Sequence, residues 1–94
     1  MRLPAKAAAT YGVATQEEAT ERVRAALARV RGDIVTRDEI LFLMGVKHKA
    51  SRLEKVSPEV AAIRRAVTKS MQVICAEGTW YSFGSRTRPM WRRL

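Results

Sequence analysis

Hydrophobic positions recur every three to four residues over much of this chain, which is the period of an amphipathic helix. In the first such segment, residues 15–31, Thr15 and Glu18 form a capping box. The apolar stripe that follows consists of Ala19, Val23, Ala26, Leu27 and Val30. The pattern predicts a first helix that begins after Thr15.

A short apolar pair and a second capping box come next. Ile34 and Val35 are β-branched and lie between two helix signals, so they predict a very short strand. Thr36 with Glu39 predicts the start of a second helix, and Gly45 predicts its end. Residues 46–56 then form a basic connector.

The longest amphipathic pattern occupies residues 57–76. Ser57 is a suitable N-cap, and Pro58 suits the first helical position. One apolar stripe runs through the segment: Val60, Ile63, Val67, Met71 and Ile74. The stripe predicts a third helix that ends near residue 76. Because residues 71–76 are also β-prone, a strand there is the alternative.

Two aromatic-rich stretches, residues 79–83 and 90–93, flank a polar turn and predict a β-hairpin. An isolated hairpin is only marginally stable in water, so at least one of Trp80 and Trp91 is expected to pack on the helices. Neighbouring strand residues face opposite sides. One of two pairs, Trp80 with Ser82 or Tyr81 with Phe83, should therefore be exposed, and an exposed Tyr81 is a candidate contact to a sugar or a partner.

The start of the chain lacks a clear pattern. Residues 1–14 are rich in Ala, contain Pro4 and Gly12, and show no period, so they are predicted to be a flexible N-terminal arm. Residues 15–94 are expected to form one domain, because 94 residues suffice for one hydrophobic core. The predicted fold class is α+β, with three helices, a very short first strand and a C-terminal hairpin.

Charge adds a functional indication to this outline. The chain has 18 Lys and Arg against 9 Asp and Glu, a net charge of +9. Residues 1–47 carry eight basic and six acidic groups, whereas residues 48–94 carry ten basic and three acidic groups. A positive field concentrated in one half indicates a polyanionic partner, most often a nucleic acid.

Candidate chemistry for catalysis is scarce. His48 is the only histidine and Cys75 the only cysteine, so neither a zinc-ligand set nor an internal disulfide can form. No nucleophile with its base and no glycine-rich phosphate loop is visible. We expect a protein without enzymatic activity, metal or cofactor. Without a membrane span or a good signal peptide, it is expected in the cytoplasm of a bacterium or an infected host cell.

The order helix, short strand, helix, helix, hairpin resembles that of a winged helix-turn-helix domain. The segment VTRDEILFLMGV is similar to the second helix of such domains, SPEVAAIRRAVTKSM to the recognition helix, and TWYSFGSRTRPMWRR to the wing. The C-terminal part also resembles winged-helix modules of phage and plasmid replication proteins. The connector between the second and third helices is longer than in most such domains. The resemblance spans residues 16–93 and implies DNA binding by a phage or mobile-element regulator of transcription or replication.

The predicted third helix carries the candidate DNA contacts. If its apolar stripe faces inward, its outer face holds Arg64, Arg65, Thr68, Lys69 and Gln72. Arg can donate two hydrogen bonds to guanine and Gln can pair with adenine, whereas Thr and Lys can reach phosphates. We expect Arg65 and Gln72 to contact bases, and Arg64 and Lys69 to contact phosphates.

Basic residues outside this helix complete the candidate site. Arg86 and Arg88 at the hairpin tip are expected to reach the adjacent minor groove or the DNA backbone. Lys47 and Lys49 of the connector are further candidates. The predicted function is sequence-preferring binding of double-stranded DNA. The alternative is binding to a host protein, such as RNA polymerase or a nuclease, through the same basic surface. The sequence leaves open whether the protein is a homodimer.

Overall fold

The computed structural model describes residues 2–46 and 57–94 of the chain. These residues form a compact α+β domain with four helices and one three-stranded antiparallel sheet. The elements are α1 (Ala5–Tyr11), α2 (Gln16–Ala28), β1 (Ile34–Thr36), α3 (Arg37–Leu43), α4 (Pro58–Ala76), β2 (Trp80–Gly84) and β3 (Pro89–Arg93).

The helix starts that the sequence predicts are confirmed. In each case the hydroxyl oxygen of the predicted N-cap accepts a hydrogen bond from the backbone N–H three residues later, at 3.2–3.3 Å: Thr15 for α2, Thr36 for α3 and Ser57 for α4. Each bond satisfies one backbone donor that a helix start leaves without a partner. Because α4 continues to Ala76, the alternative of a strand over residues 71–76 was wrong.

The first residues differ from the flexible arm that the sequence predicts. They form helix α1, which Gly12 ends with a φ of 70°. Ala7 and Val13 are fully buried, and the Leu3 amide donates to the Ala14 carbonyl at 2.9 Å. The sequence pattern did not predict this helix because an alanine-rich helix shows little apolar periodicity, even though Ala favours helix strongly. Contact with α4 supports this short helix.

The sheet joins the predicted hairpin to the predicted short strand. Its strand order is β1–β3–β2, so the last strand along the chain lies in the middle. In the register of the sheet, Trp91 of β3 is opposite Val35 on one side and Ser82 on the other. Trp80 and Trp91 are both buried, which confirms that the hairpin packs on the helices, while Tyr81 is exposed.

Helix α4 is the central element of the core. All five residues of its predicted apolar stripe are buried, and the helix contacts α1, α2, α3 and β2. A polar network also links α4 to α2: Gln16 Nε2 donates to Ser70 Oγ and to the Ala66 carbonyl, both at 3.0 Å. Thr20 Oγ1 lies 2.9 Å from the same fully buried Ser70 hydroxyl. These directional bonds help to fix the rotation of α4, and therefore which residues it exposes.

Candidate nucleic-acid interface

Three polar side chains form an exposed ridge along α4: Arg65, Lys69 and Gln72. Their spacing of four and three residues places them on one side of the helix. Arg65 and Gln72 are separated by about 10 Å along the helix axis, at about 1.5 Å per residue. These residues, called the α4 ridge below, are the part of the predicted contact set that projects into solvent.

The other two predicted α4 residues, Arg64 and Thr68, are half-buried. Thr68 Oγ1 donates to the Arg64 carbonyl at 3.1 Å, so its proton is engaged within the helix. In this conformation Thr68 can only accept a hydrogen bond from a ligand and cannot donate one to a phosphate. Its predicted role as a phosphate donor therefore needs a change of rotamer.

The hairpin lies beside the α4 ridge, and a groove of about 680 Å³ separates the two. Thr68, Gln72 and Cys75 line this hairpin groove on the helix side, and Ser82, Trp91 and neighbouring residues line it on the hairpin side. Burial raises the pKa of the Cys75 thiol, so this wall of the groove is uncharged at neutral pH.

The hairpin tip holds its arginines on an ordered turn. Ser85 Oγ accepts a hydrogen bond from the Arg88 amide at 3.2 Å and lies 3.1 Å from Thr87 Oγ1. Arg86 and Arg88 are both exposed. Arg86 also borders an open depression together with Arg64 and Arg65 of α4. The structure thus brings the predicted hairpin and helix residues to one surface.

Arg37 belongs to the same surface, and sequence reasoning missed it. It is the first residue of α3 and lines the hairpin groove. It also borders the depression with Arg64 and Arg86, and a third one that includes Arg88. The sequence gives little signal for this role, because Arg37 stands between a capping Thr and two acidic residues. Only the tertiary fold places it next to α4 and the hairpin.

A smaller groove borders the opposite flank of the α4 ridge. It has a volume of about 190 Å³ and lies between the N-terminal residues and α4. Arg2 contributes to its lining from the N-terminal side, and Arg65 and Lys69 contribute from the ridge. The N-terminal segment therefore adds a positive charge to this flank.

Three arginines elsewhere are engaged in holding the fold together. Arg22 donates to the carbonyls of Tyr11 and Met44 at 3.2 and 2.7 Å, and so ties α2 to the ends of α1 and α3. Arg93 donates to the Val30 carbonyl at 2.9 Å and stacks over Trp80, 4.8 Å from the ring centroid. Arg24 forms a bidentate ion pair, described below. These contacts give three of the basic side chains a structural role within the domain, one that does not require an external partner.

Acidic side chains are almost absent from the grooves around the α4 ridge. Among the described residues that line them, Asp38 is the one carboxylate. Glu17, Glu18 and Glu21 are instead exposed on α2. The surface made by α4, the hairpin and Arg37 therefore carries a concentrated positive charge. Lys47 and Lys49, also predicted as DNA contacts, lie outside the described residues.

Within residues 2–46 and 57–94, no three His, Cys, Asp or Glu side chains are grouped so that they could hold a metal ion. None of the described helices is long and apolar enough to cross a membrane. Comparisons with protein-family models, with curated proteins and with solved structures find no match to this chain.

Proposed function

We propose that this chain is a winged-helix protein that binds double-stranded DNA with a preference for sequence. In this arrangement α4 enters the major groove, which is wide enough for a helix, and the hairpin acts as a wing over the adjacent backbone or minor groove. A regulator of transcription or replication in a phage or mobile element fits such a binding activity.

The observation that carries the proposal is the composition of the surface around α4. Arg65, Lys69 and Gln72 project from one side of the helix, and Arg86 and Arg88 lie on a turn beside it. Guanidinium and carboxamide groups on the exposed face of one helix suit base edges, and the flanking cations suit phosphates. The β1–β3–β2 sheet supports the hairpin next to α4, as a wing requires.

Selection from a random duplex pool, followed by binding of single variants, tests the proposal. Arg65→Ala and Gln72→Ala are each expected to cost about 1–3 kcal/mol of binding free energy and to relax discrimination at one base position. Lys69→Ala should weaken binding to all sequences evenly, since a phosphate contact carries no sequence information. Arg29→Ala is the matched control, because Arg29 is exposed but lines none of these grooves.

The outcomes separate the possible binding modes. Even losses for all three ridge variants would mean that the surface binds nucleic acid without sequence preference. If no duplex is enriched and no folded variant changes duplex binding, the DNA-binding proposal fails.

A second candidate function is docking on a host protein. The exposed side chains of Ile34 and Tyr81, 49% and 60% accessible, favour it, because both lie opposite Arg92 on the outer face of the sheet. An aromatic and an aliphatic residue beside an arginine are typical of protein-binding patches. Stable co-purification with a host protein that survives nuclease and is lost in Tyr81→Ala would favour this function over DNA binding.

A further inference from the structure

Two arginines meet at the junction of α3, α4 and the hairpin tip. Arg37 begins α3, and Arg64 lies on α4 next to the ridge. Both border the same two depressions, together with Thr87 of the hairpin tip. Arg86 borders one of these depressions and Arg88 borders the other. We call this junction the arginine pocket.

The Nε donors of the two guanidinium groups have no acceptor within the described part of the domain. The Nε atoms of Arg37 and Arg64 are both buried and have no hydrogen-bond partner among the described residues. A buried donor without an acceptor is unfavourable, and more so when the donor is charged. Asp38 borders one side of the pocket but is exposed, and it forms no ion pair with Arg37.

The electrostatics agree with the geometry. Burial lowers the pKa of the Arg37 guanidinium, and the positive charge of Arg64 lowers it further, while Asp38 acts in the opposite direction. Two like charges at a partly buried junction are costly unless an anion joins them. Besides Asp38, the other polar groups of the described residues that line the two depressions are three further arginines and the hydroxyls of Thr36 and Thr87, and none of these neutralises the charge.

We propose that the arginine pocket binds a phosphate group between Arg37 and Arg64. A phosphate supplies several acceptor oxygens and a negative charge, and guanidinium forks bind such oxygens in pairs. The phosphate can come from the backbone of a nucleic acid, in which case the inference rests on the proposed function, or from free inorganic phosphate. In the first case Arg37 anchors the DNA backbone between α4 and the wing.

Nitrogen-15 NMR of the Arg Nε–Hε groups tests the pocket without any substitution. The protein is titrated with inorganic phosphate and, at equal ionic strength, with chloride. The resonances of Arg37 and Arg64 are expected to shift with phosphate only, and those of Arg31, which lines none of these grooves, are expected to stay in place. In Arg37→Gln the phosphate-induced shift of Arg64 should be lost, whereas Arg31→Gln should retain it.

Duplex binding then identifies the source of the phosphate. If a DNA backbone fills the pocket, Arg37→Gln should weaken binding roughly five- to tenfold at about 0.1 M salt, evenly across sequences, and lower the slope of log K against log salt by about 0.9. Arg37→Lys keeps the charge without the fork and should recover part of this loss. A phosphate-induced shift with an unchanged salt slope would assign the pocket to free phosphate.

The failures of the two proposals are distinguishable. If the protein binds no duplex but Arg37 and Arg64 respond to phosphate, the DNA-binding proposal fails and the pocket stands. If the protein binds duplex but neither arginine responds to phosphate and Arg37→Gln leaves the slope unchanged, the pocket is refuted and the function stands. Equal shifts for Arg31 would show ionic screening and would also refute the pocket.

Discussion

Trp91 belongs both to the central strand of the sheet and to the hydrophobic core. It is 2% accessible and lies in the central strand, between Val35 and Ser82. The same residue lines the hairpin groove on the hairpin side. Its burial therefore contributes both to the stability of the domain and to the position of the hairpin beside α4.

Replacing Trp91 with Ala is expected to destabilise the domain by about 3–5 kcal/mol, because the large buried ring leaves a cavity. Tyr81→Ala is the matched control, since Tyr81 lies on the same hairpin and is 60% accessible. It should change the free energy of unfolding by less than about 0.5–1 kcal/mol. Urea denaturation of both variants measures the difference. Equal losses would show that the ring of Trp91 is not packed as described.

At the scale of elements, the sequence predicted what depends on local signals. Three helices, the short strand and the hairpin follow from periodicity and from capping residues such as Thr36. Helix α1 could not be predicted from periodicity, because its alanines form no stripe and its burial depends on α4. The α4 ridge was predictable for the same local reasons, whereas Arg37 was not, since its neighbours in space come from distant parts of the chain.

Two glycines, Gly84 in the hairpin and Gly78 just before it, test how much the backbone of the hairpin can move to accept a side chain. Gly84 has a φ of 91°, and a Cβ built there would lie 2.6 Å from the Arg88 carbonyl oxygen. Gly78 has a similar φ of 86° but open space around it. Gly78→Ala should therefore cost only the conformational penalty, about 1–2 kcal/mol.

Gly84→Ala should cost clearly more than Gly78→Ala, because the backbone of the turn must also move. Thermal denaturation of the two variants gives the comparison, and backbone NMR shifts of residues 85–88 report the displaced turn. Similar losses for both variants would indicate that the hairpin tip rearranges freely.

At the scale of the whole molecule, charge is segregated. The basic surface lies around the α4 ridge and the hairpin, while the two carboxylates at the ends of α4, Glu59 and Glu77, are engaged in ion pairs. Arg24 donates two hydrogen bonds to Glu77, at 2.7 and 2.6 Å, and so joins α2 to the end of α4. Lys6 Nζ lies 4.0 Å from Glu59 Oε1 at the start of α4. These pairs link stability to pH.

The pKa of Glu77 is lowered, chiefly by its hydrogen bonds from Arg24. The pKa of Glu59 is lowered by its own backbone N–H, by Ser57 and by Lys6. A carboxylate with a lowered folded-state pKa stabilises the fold at neutral pH, and this contribution is lost as the pH falls below about 4.5 and through the folded-state pKa. Stability is therefore expected to decrease on acidification.

Glu77→Gln should reduce the steepness of this decrease, so that the stability difference from the unsubstituted protein narrows as the pH falls. Urea denaturation between pH 3 and pH 7 measures it. Glu21→Gln removes the same charge from an exposed position that has no ion pair among the described residues, and it serves as the control. A Glu77→Gln profile parallel to that of the unsubstituted protein would mean that the ion pair contributes nothing to stability.

Because β3 is the middle strand, the sheet is complete only when the last strand along the chain is in place. Ser82 and Trp91 are close in sequence, so the hairpin can close early at a low cost in chain entropy. Val35 and Trp91 are far apart in sequence, so the pairing of β1 with β3 carries a higher cost in chain entropy. Helix α3 begins directly after β1, so the strand that completes the sheet also leads directly into Arg37 of the arginine pocket. The integrity of the pocket is therefore tied to long-range pairing between β1 and the end of the chain, whereas the α4 ridge lies within one helix.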